Sequence, residues 1–244
     1  MTTGMIYIYN GPGVSKVGIQ HLKKFFEKKS IHFISPKEVL NGAWTQDAAL
    51  FVMPGGADLP YTQELNGRGN TVIRDYVENG GFYLGICAGA YYAGKNLAFA
   101  KGTAIEVIGQ RELSFFEGLV EGPTLAPYDY DTYEGTRAAF VEWNLNQKTA
   151  FHVFYNGGGH FINPERYLNV KILATYKDLS NQPAAVIECL IGNGKAILSG
   201  VHFEYDPALL DATDPYLKDI IPILKKHEFK RMDLVKELLG SRAD

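Results

Sequence analysis

Through the first half of this chain, short apolar runs ending in glycine turns alternate with amphipathic helical patterns, and that alternation restricts the fold more than any other feature. Met5–Tyr9 reads as a strand, stopped by Asn10-Gly11-Pro12-Gly13. Ser15 is placed to cap a helix whose apolar face uses Val17, Ile19, Leu22, Phe25 and Phe26. Ile31–Ile34 and Ala49–Met53 read as further strands, the latter ended by Pro54-Gly55-Gly56. A helix is expected over Gly69–Asn79, with Val72, Ile73, Tyr76 and Val77 inward. Gly81–Ile86 is the next strand, and a helix starts near Ala88.

The second half changes character. Glu117–Glu121, Arg137–Trp143 and Thr149–Tyr155 have strand patterns with no good helix between them. Ala184–Ile191 and Lys195–Ser199 flank Gly192-Asn193-Gly194, a hairpin signal. Helical patterns close the chain at Tyr216–Lys226 and Glu228–Leu239. The expected fold is therefore α/β: a doubly wound, mostly parallel sheet with helices on both faces and an antiparallel extension in the second half. With no repeat or linker in view, residues 1–244 read as one domain.

Composition excludes several classes. A net charge of −3, with lysine pairs confined to helix-like segments, offers no concentrated basic face for nucleic acid or a membrane surface. No apolar stretch approaches the roughly 20 residues that span a bilayer, and Met1–Met5 lacks the pattern of a secretory signal. Two cysteines cannot build a disulfide framework, so a reducing cytoplasmic setting is expected. No Cys/His cluster has zinc spacing, and Gly11-Pro12-Gly13 lacks the lysine of a phosphate-binding loop. No metal or cofactor is expected.

Cys189 sits in an apolar run and reads as a small buried hydrophobe, but Cys87 lies in Gly85-Ile86-Cys87-Ala88-Gly89, between a strand and a helix. A strand that turns abruptly into a helix strains its central residue, and small neighbours two positions away relieve the crowding. A helix N-terminus beside the thiol also favours the thiolate. The base expected for this nucleophile is His202, with Glu204 orienting it, because alternation along a strand puts residues i and i+2 on one side. Backbone N–H groups of Ala88 and of Gly55 or Gly56 are the expected oxyanion donors. Asn10, Asp58, Tyr61, Tyr91 and Gly158, the last within Asn156-Gly157-Gly158-Gly159-His160, are the expected substrate contacts. His21 and His32 have no partners at metal spacing, and His152 reads as a strand histidine.

Phe51-Val52-Met53-Pro54-Gly55-Gly56, Gly85-Ile86-Cys87-Ala88-Gly89 and His202-Phe203-Glu204 resemble the three motifs of class I glutamine amidotransferase domains. Four longer segments, Tyr9–Ser15, Met53–Tyr61, Gly85–Ala93 and Asn156–Phe161, are similar to the biotin-protein ligase N-terminal domain family within that superfamily. The resemblance covers nearly the whole chain and implies a flavodoxin-like fold with a Cys-His-Glu triad. It implies a cysteine-dependent amidotransferase or hydrolase acting on an amide or acyl small molecule, with any acceptor protein a separate chain.

Several positions depart from the wider pattern. Tyr91 stands where glutaminases of this class carry Gln, and Phe203 where they carry Pro. The chain has no room for a synthetase domain, and Gly67-Arg68-Gly69 lacks the rest of a biotin-ligase catalytic signature. Ala88 stands where the related intracellular-protease-like branch places His, which ranks that reading lower. A binding or regulatory module that keeps the fold without turnover is the rival from another class.

Overall fold

The computed structural model describes residues 4–240. In chain order its first half contains β1 (Met5–Tyr9), α1 (Lys16–Phe25), β2 (Ile31–Ile34), α2 (Pro36–Asn41), β3 (Ala48–Met53), α3 (Asp58–Leu65), α4 (Arg68–Glu78), β4 (Phe82–Ile86) and α5 (Ala88–Tyr92). The second half adds β5 (Gly94–Phe99), β6 (Val107–Gln110), β7 (Phe116–Gly122), β8 (Arg137–Asn144), β9 (Lys148–Tyr155), β10 (His160–Phe161), β11 (Val170–Tyr176), β12 (Ala184–Ile191) and β13 (Gly194–Ser199), then α6 (Ile221–Lys226) and α7 (Glu228–Leu239).

One sheet runs through the molecule in the order β2-β1-β3-β4-β13-β12-β10-β7-β5-β6. Its first five strands are mutually parallel. At β13 the sense reverses: β12 pairs antiparallel through the hairpin in which Ile191 faces Gly194. From β12 the sheet branches, one arm leading to β7 and β5, the other through β11 to β8 and β9. The architecture is thus the mixed α/β sheet expected from the alternation, with its antiparallel extension where the helical patterns lapse.

Two apolar layers hold the sheet. On one face, Val39, Tyr61, Leu65, Ile73 and Val77 from α2, α3 and α4 pack with Phe51, Tyr83 and Leu198 of the strands. On the other, Leu22 and Phe26 at α1, and Leu234, Val235 and Leu238 from α7, pack with Ile8, Val52, Leu84 and Ile197. The β8–β9 ribbon contributes Val141, Trp143, Phe151 and Val153 to this second layer. Burial on both faces is what makes β3 and β4 read as continuous apolar runs rather than alternating ones.

Local signals account for most boundaries. Ser15 Oγ accepts from the Gly18 N–H at 3.2 Å and starts α1. Ser35 and Glu38 form a reciprocal capping box for α2, which Pro36 opens and Gly42 closes in the left-handed conformation. Some expectations need correction. Val17 is 38% exposed and His21 takes the inward place, stacked on Tyr205 with ring centroids 3.9 Å apart. The final helical pattern is shorter than Tyr216–Lys226: Asp214 Oδ1 accepts from the Tyr216 N–H, which builds turns there, and the helix opens only at Ile221 with Pro222 in its first turn. The strands β5, β6 and β11 and the helices α2 and α3 were not anticipated. None of the helices among the described residues is long and apolar enough to cross a membrane.

Leu84 lies fully buried in the middle of β4, between β3 and β13. Replacing it with Ala should cost about 2–5 kcal/mol of unfolding free energy. Urea denaturation followed by circular dichroism reads this directly, as a lower midpoint with an unchanged slope.

Candidate active site

Four loops leave the carboxyl ends of the parallel strands β1, β3, β4 and β13, the edge at which open α/β sheets build their sites. Cys87 follows β4 directly, with φ 50° and ψ −107°. Such a conformation is strained for any residue with a Cβ, and three contacts hold it. The Cys87 N–H donates to Ser199 O at 2.8 Å, the Gly89 N–H donates to Pro54 O at 3.1 Å, and the Tyr83 hydroxyl donates to Gly89 O at 2.9 Å. Both flanking glycines are required sterically. A Cβ on Gly85 would stand 2.5 Å from Gly89 O, and one on Gly89 would overlap the Met53 carbonyl.

His202 is reached from β13 through Gly200 and Val201. Its N–H donates to Phe154 O at 2.8 Å, an isolated bridge that ties this segment to the end of β9. Its Nδ1 lies 2.7 Å from Glu204 Oε1, and both side chains are buried. Arg231 of α7 fixes the same segment from behind, donating from Nη1 to Phe203 O at 2.6 Å while its other nitrogens grip Glu228. With Nδ1 engaged by Glu204, the other ring nitrogen is left for Cys87. Burial disfavours a charged imidazole, but the Glu204 charge, the side-chain hydrogen bonds to Cys87 and Glu204, and the charge of Cys87 outweigh it and raise His202 to about 10. Cys87 Sγ also lies 3.6 Å from the carbonyl oxygen of Asn156, a weak acceptor for the thiol hydrogen. The imidazole packs against Gly55, where a Cβ would stand 2.9 Å from His202 Cε1 and 3.5 Å from Cys87 Cβ.

Among the expected oxyanion donors, Gly56 and Ala88 line the cavity at Cys87, whereas Gly55 does not. Gly56 has φ 142° and forms an isolated bridge with Val14. The hydrogen bonds of that bridge run from Ser15 N to Gly55 O and from Ala57 N to Gly13 O, so the Gly56 N–H takes no part in it. Ala88 opens α5, where an N–H has no intrahelical acceptor.

The expected substrate contacts separate into two groups. Asp58 and Tyr91 line the cavity together with Leu97, Phe99, Tyr128, Tyr130 and Gly157. Tyr61 does not: it is fully buried, and its hydroxyl donates to Pro54 O at 3.1 Å, buttressing the loop from beneath. Asn10 is exposed at the end of β1, one strand beyond β3, and lies outside the cavity. Gly158 also lies outside; a Cβ there would overlap the Gly200 carbonyl, so its smallness serves packing, and Gly157 is the loop residue that lines the cavity. Tyr91 has a structural duty besides: its hydroxyl donates to Gly157 O at 3.1 Å, and Gly122 and Gly159 leave the space its ring occupies.

Sequence reasoning missed the aromatic wall. Tyr128 and Tyr130 come from the connection between β7 and β8, where the run Pro127-Tyr128-Asp129-Tyr130 was the available signal. It also missed Arg111, which follows β6 and pairs with Asp58 at 2.6 Å with both side chains buried. With these residues in place the cavity at Cys87 is about 20 Å³, room for about one water molecule.

A family profile described as "Biotin-protein ligase, N terminal" matches residues 5–243. The chain belongs to this family. The biotin-protein ligase of Schizosaccharomyces pombe is 33% identical over 244 aligned residues, which take in 96% of this chain and 37% of that ligase. The chain therefore spans little more than a third of the ligase it matches. An uncharacterized protein of Chlamydia muridarum is 34% identical, covering 85% of this chain and 83% of its own. A glutamine amidotransferase structure from Thermotoga maritima superimposes with a TM-score of 0.60 at 12% identity, over all of both chains. That likeness shows that this chain shares the fold of glutamine amidotransferase domains.

Two measurements test the geometry. Because the folded value of His202 lies above its ordinary 6.5, its contribution to stability is complete below pH 6.5 and is lost as pH climbs toward about 10. NMR titration of the ring should find it still charged at pH 8, and Glu204→Gln should lower its midpoint; a ring already neutral at pH 7 would contradict the pairing. Gly89→Ala drives a methyl into the Met53 carbonyl and should destabilise the fold by about 2–3 kcal/mol, seen in thermal melts.

Proposed function

We propose that the chain is a cysteine-dependent hydrolase or amidotransferase that attacks an amide or related acyl carbon of a small molecule through Cys87. The observation that carries this reading is the cysteine held at φ 50° on the strand-to-helix turn, beside a buried His202–Glu204 pair 2.7 Å apart.

In this mechanism His202 already holds the thiol proton when Sγ bonds to the carbonyl carbon, whose π pair moves onto the oxygen. Glu204 holds the imidazole in one tautomer and offsets its positive charge. The Gly56 and Ala88 N–H groups receive the oxyanion. Collapse breaks the bond to the leaving amine, which departs with the proton from His202. Water, or an amine, then attacks the thioester, gives up a proton to His202, and releases product with the thiol restored. No metal or cofactor enters these steps.

Residues 1–244 act in this proposal as one amidotransferase-like domain, and a protein acceptor agrees with the name of the Schizosaccharomyces pombe relative, a biotin-protein ligase. Two free cysteines suit a reducing cytoplasm. A second reading, a ligand-binding module without turnover, draws support from the closed cavity and from Tyr91 in the glutaminase Gln position.

Iodoacetamide at neutral pH should modify Cys87 well before Cys189, because burial between strands pushes the Cys189 thiol far up. Amide substrates screened for ammonia or amine release should be turned over by the parent and lost in Cys87→Ala by a factor of about 10³ or more. Ligand binding that survives Cys87→Ala, with no turnover by the parent, would support the module instead.

A further inference from the structure

The wall of the Cys87 cavity has a chemical character that neither the fold nor the nucleophile requires. Tyr91, Phe99, Tyr128 and Tyr130 all line it. Their rings are linked edge to face: Tyr91 to Phe99 at 5.5 Å, Phe99 to Tyr128 at 5.7 Å and Tyr128 to Tyr130 at 4.8 Å between centroids. The remaining polar side chain on that wall, besides the thiol, is Asp58, which is 8% exposed. Arg111 Nε binds Asp58 Oδ2 at 2.6 Å, and among the described residues Oδ1 has no hydrogen-bond partner. An aromatic box closed by a carboxylate is the arrangement that recognises organic cations: ring faces attract the charge, and the carboxylate supplies a fixed acceptor.

The approach to this wall is negative. Outside the wall lies a cleft of about 780 Å³ lined by Glu121, Asp129 and Asp131, against the lysine Lys101. His160, the other basic group there, is held below its ordinary value by burial, so the cleft has one fixed cation facing three carboxylates. Tyr128 and Tyr130 line both spaces and so form the partition between them. Tyr130 is 48% exposed, so its ring is the less confined part of that partition. The closed cavity holds about one water, so any ligand must displace this partition. A negative cleft leading to a nucleophile concentrates positively charged ligands at its mouth.

We propose that the substrate carries a cationic amine, an ammonium or quaternary ammonium group, held by Tyr91, Phe99, Tyr128, Tyr130 and Asp58 beside the acyl carbon presented to Cys87. The assignment of an acyl carbon rests on the hydrolase reading above; the cation site itself does not.

The test separates the two. Choline and its uncharged carbon isostere, 3,3-dimethylbutan-1-ol, are titrated into full-length Cys87→Ala protein and followed by NMR of labelled tyrosine rings. Choline should bind at least roughly tenfold more tightly than the isostere and shift tyrosine resonances. Asp58→Asn should remove most of that preference. Because that change leaves Arg111 unpaired in the interior, Tyr130→Leu, at a half-exposed position, is the second variant and should weaken choline binding by roughly tenfold. Equal binding of choline and isostere, or no binding of either, overturns the proposal. Choline binding in a protein that turns over no amide leaves the cation site standing and removes the hydrolase. Amide turnover by a protein that ignores choline does the reverse.

Discussion

Everything at the site hangs on the close approach of the elbow to β3. Gly89 sits against the Met53 carbonyl with no space for a side chain, and its N–H is bonded to Pro54 O. That contact fixes where α5 begins relative to the Pro54–Asp58 loop, so it brings Cys87 and Gly56 to the wall of one small cavity. On the other side β13 supplies Ser199 O to the Cys87 N–H and, a few residues on, His202. Three neighbouring parallel strands thus deliver Cys87, the Gly55-Gly56 loop and His202 at one edge. The strain of φ 50° at Cys87 is offset by those contacts.

The parts legible in the sequence were those with a local cause. Glycines two residues either side of Cys87, a serine cap on α1, continuous apolar runs in strands covered on both faces and the Gly192–Gly194 hairpin all act over a few residues, and each was readable. The fold class followed from them. What failed was set by distant partners. Val17 satisfies a helical apolar stripe yet faces outward, because Tyr205, far along the chain, claims the inward surface of α1 for His21. Asn10 sits beside a suggestive glycine turn, but its strand is one position too far from β4 to reach the thiol. Arg111 and Tyr130 reach the site from segments that carry no motif, and only the branching of the sheet beyond β12 brings them there.

Two departures from the glutaminase pattern acquire physical meaning in the structure. Phe203 is fully buried between Phe25 and Trp143, so it locks the His202–Glu204 segment onto α1 and the β8–β9 ribbon through packing. Its carbonyl receives Arg231, giving the segment a second anchor on α7. Tyr91 replaces a flexible amide with a rigid ring whose hydroxyl is already committed to Gly157. A side chain so engaged cannot offer the hydrogen bonds a glutamine residue would. Both changes stiffen the thiol's surroundings while leaving the base and its carboxylate untouched.

The electrostatics of the site follow from that stiffening. Burial, with the nearby charges of Cys87 and Asp58, raises the phenols of Tyr91 and Tyr130, and burial with the charge of Cys87 raises that of Tyr128, so these three tyrosines stay neutral. They therefore form a low-dielectric wall around the sulfur on one side. On the other, His202 is held in its charged form by Glu204, whose second carboxylate oxygen is buried without a partner among the described residues. Removing water from such a pair strengthens the attraction between imidazolium and carboxylate, since Coulomb energy scales inversely with the local dielectric. In the mechanism proposed above, that attraction retains the proton on His202 until the leaving group draws it off.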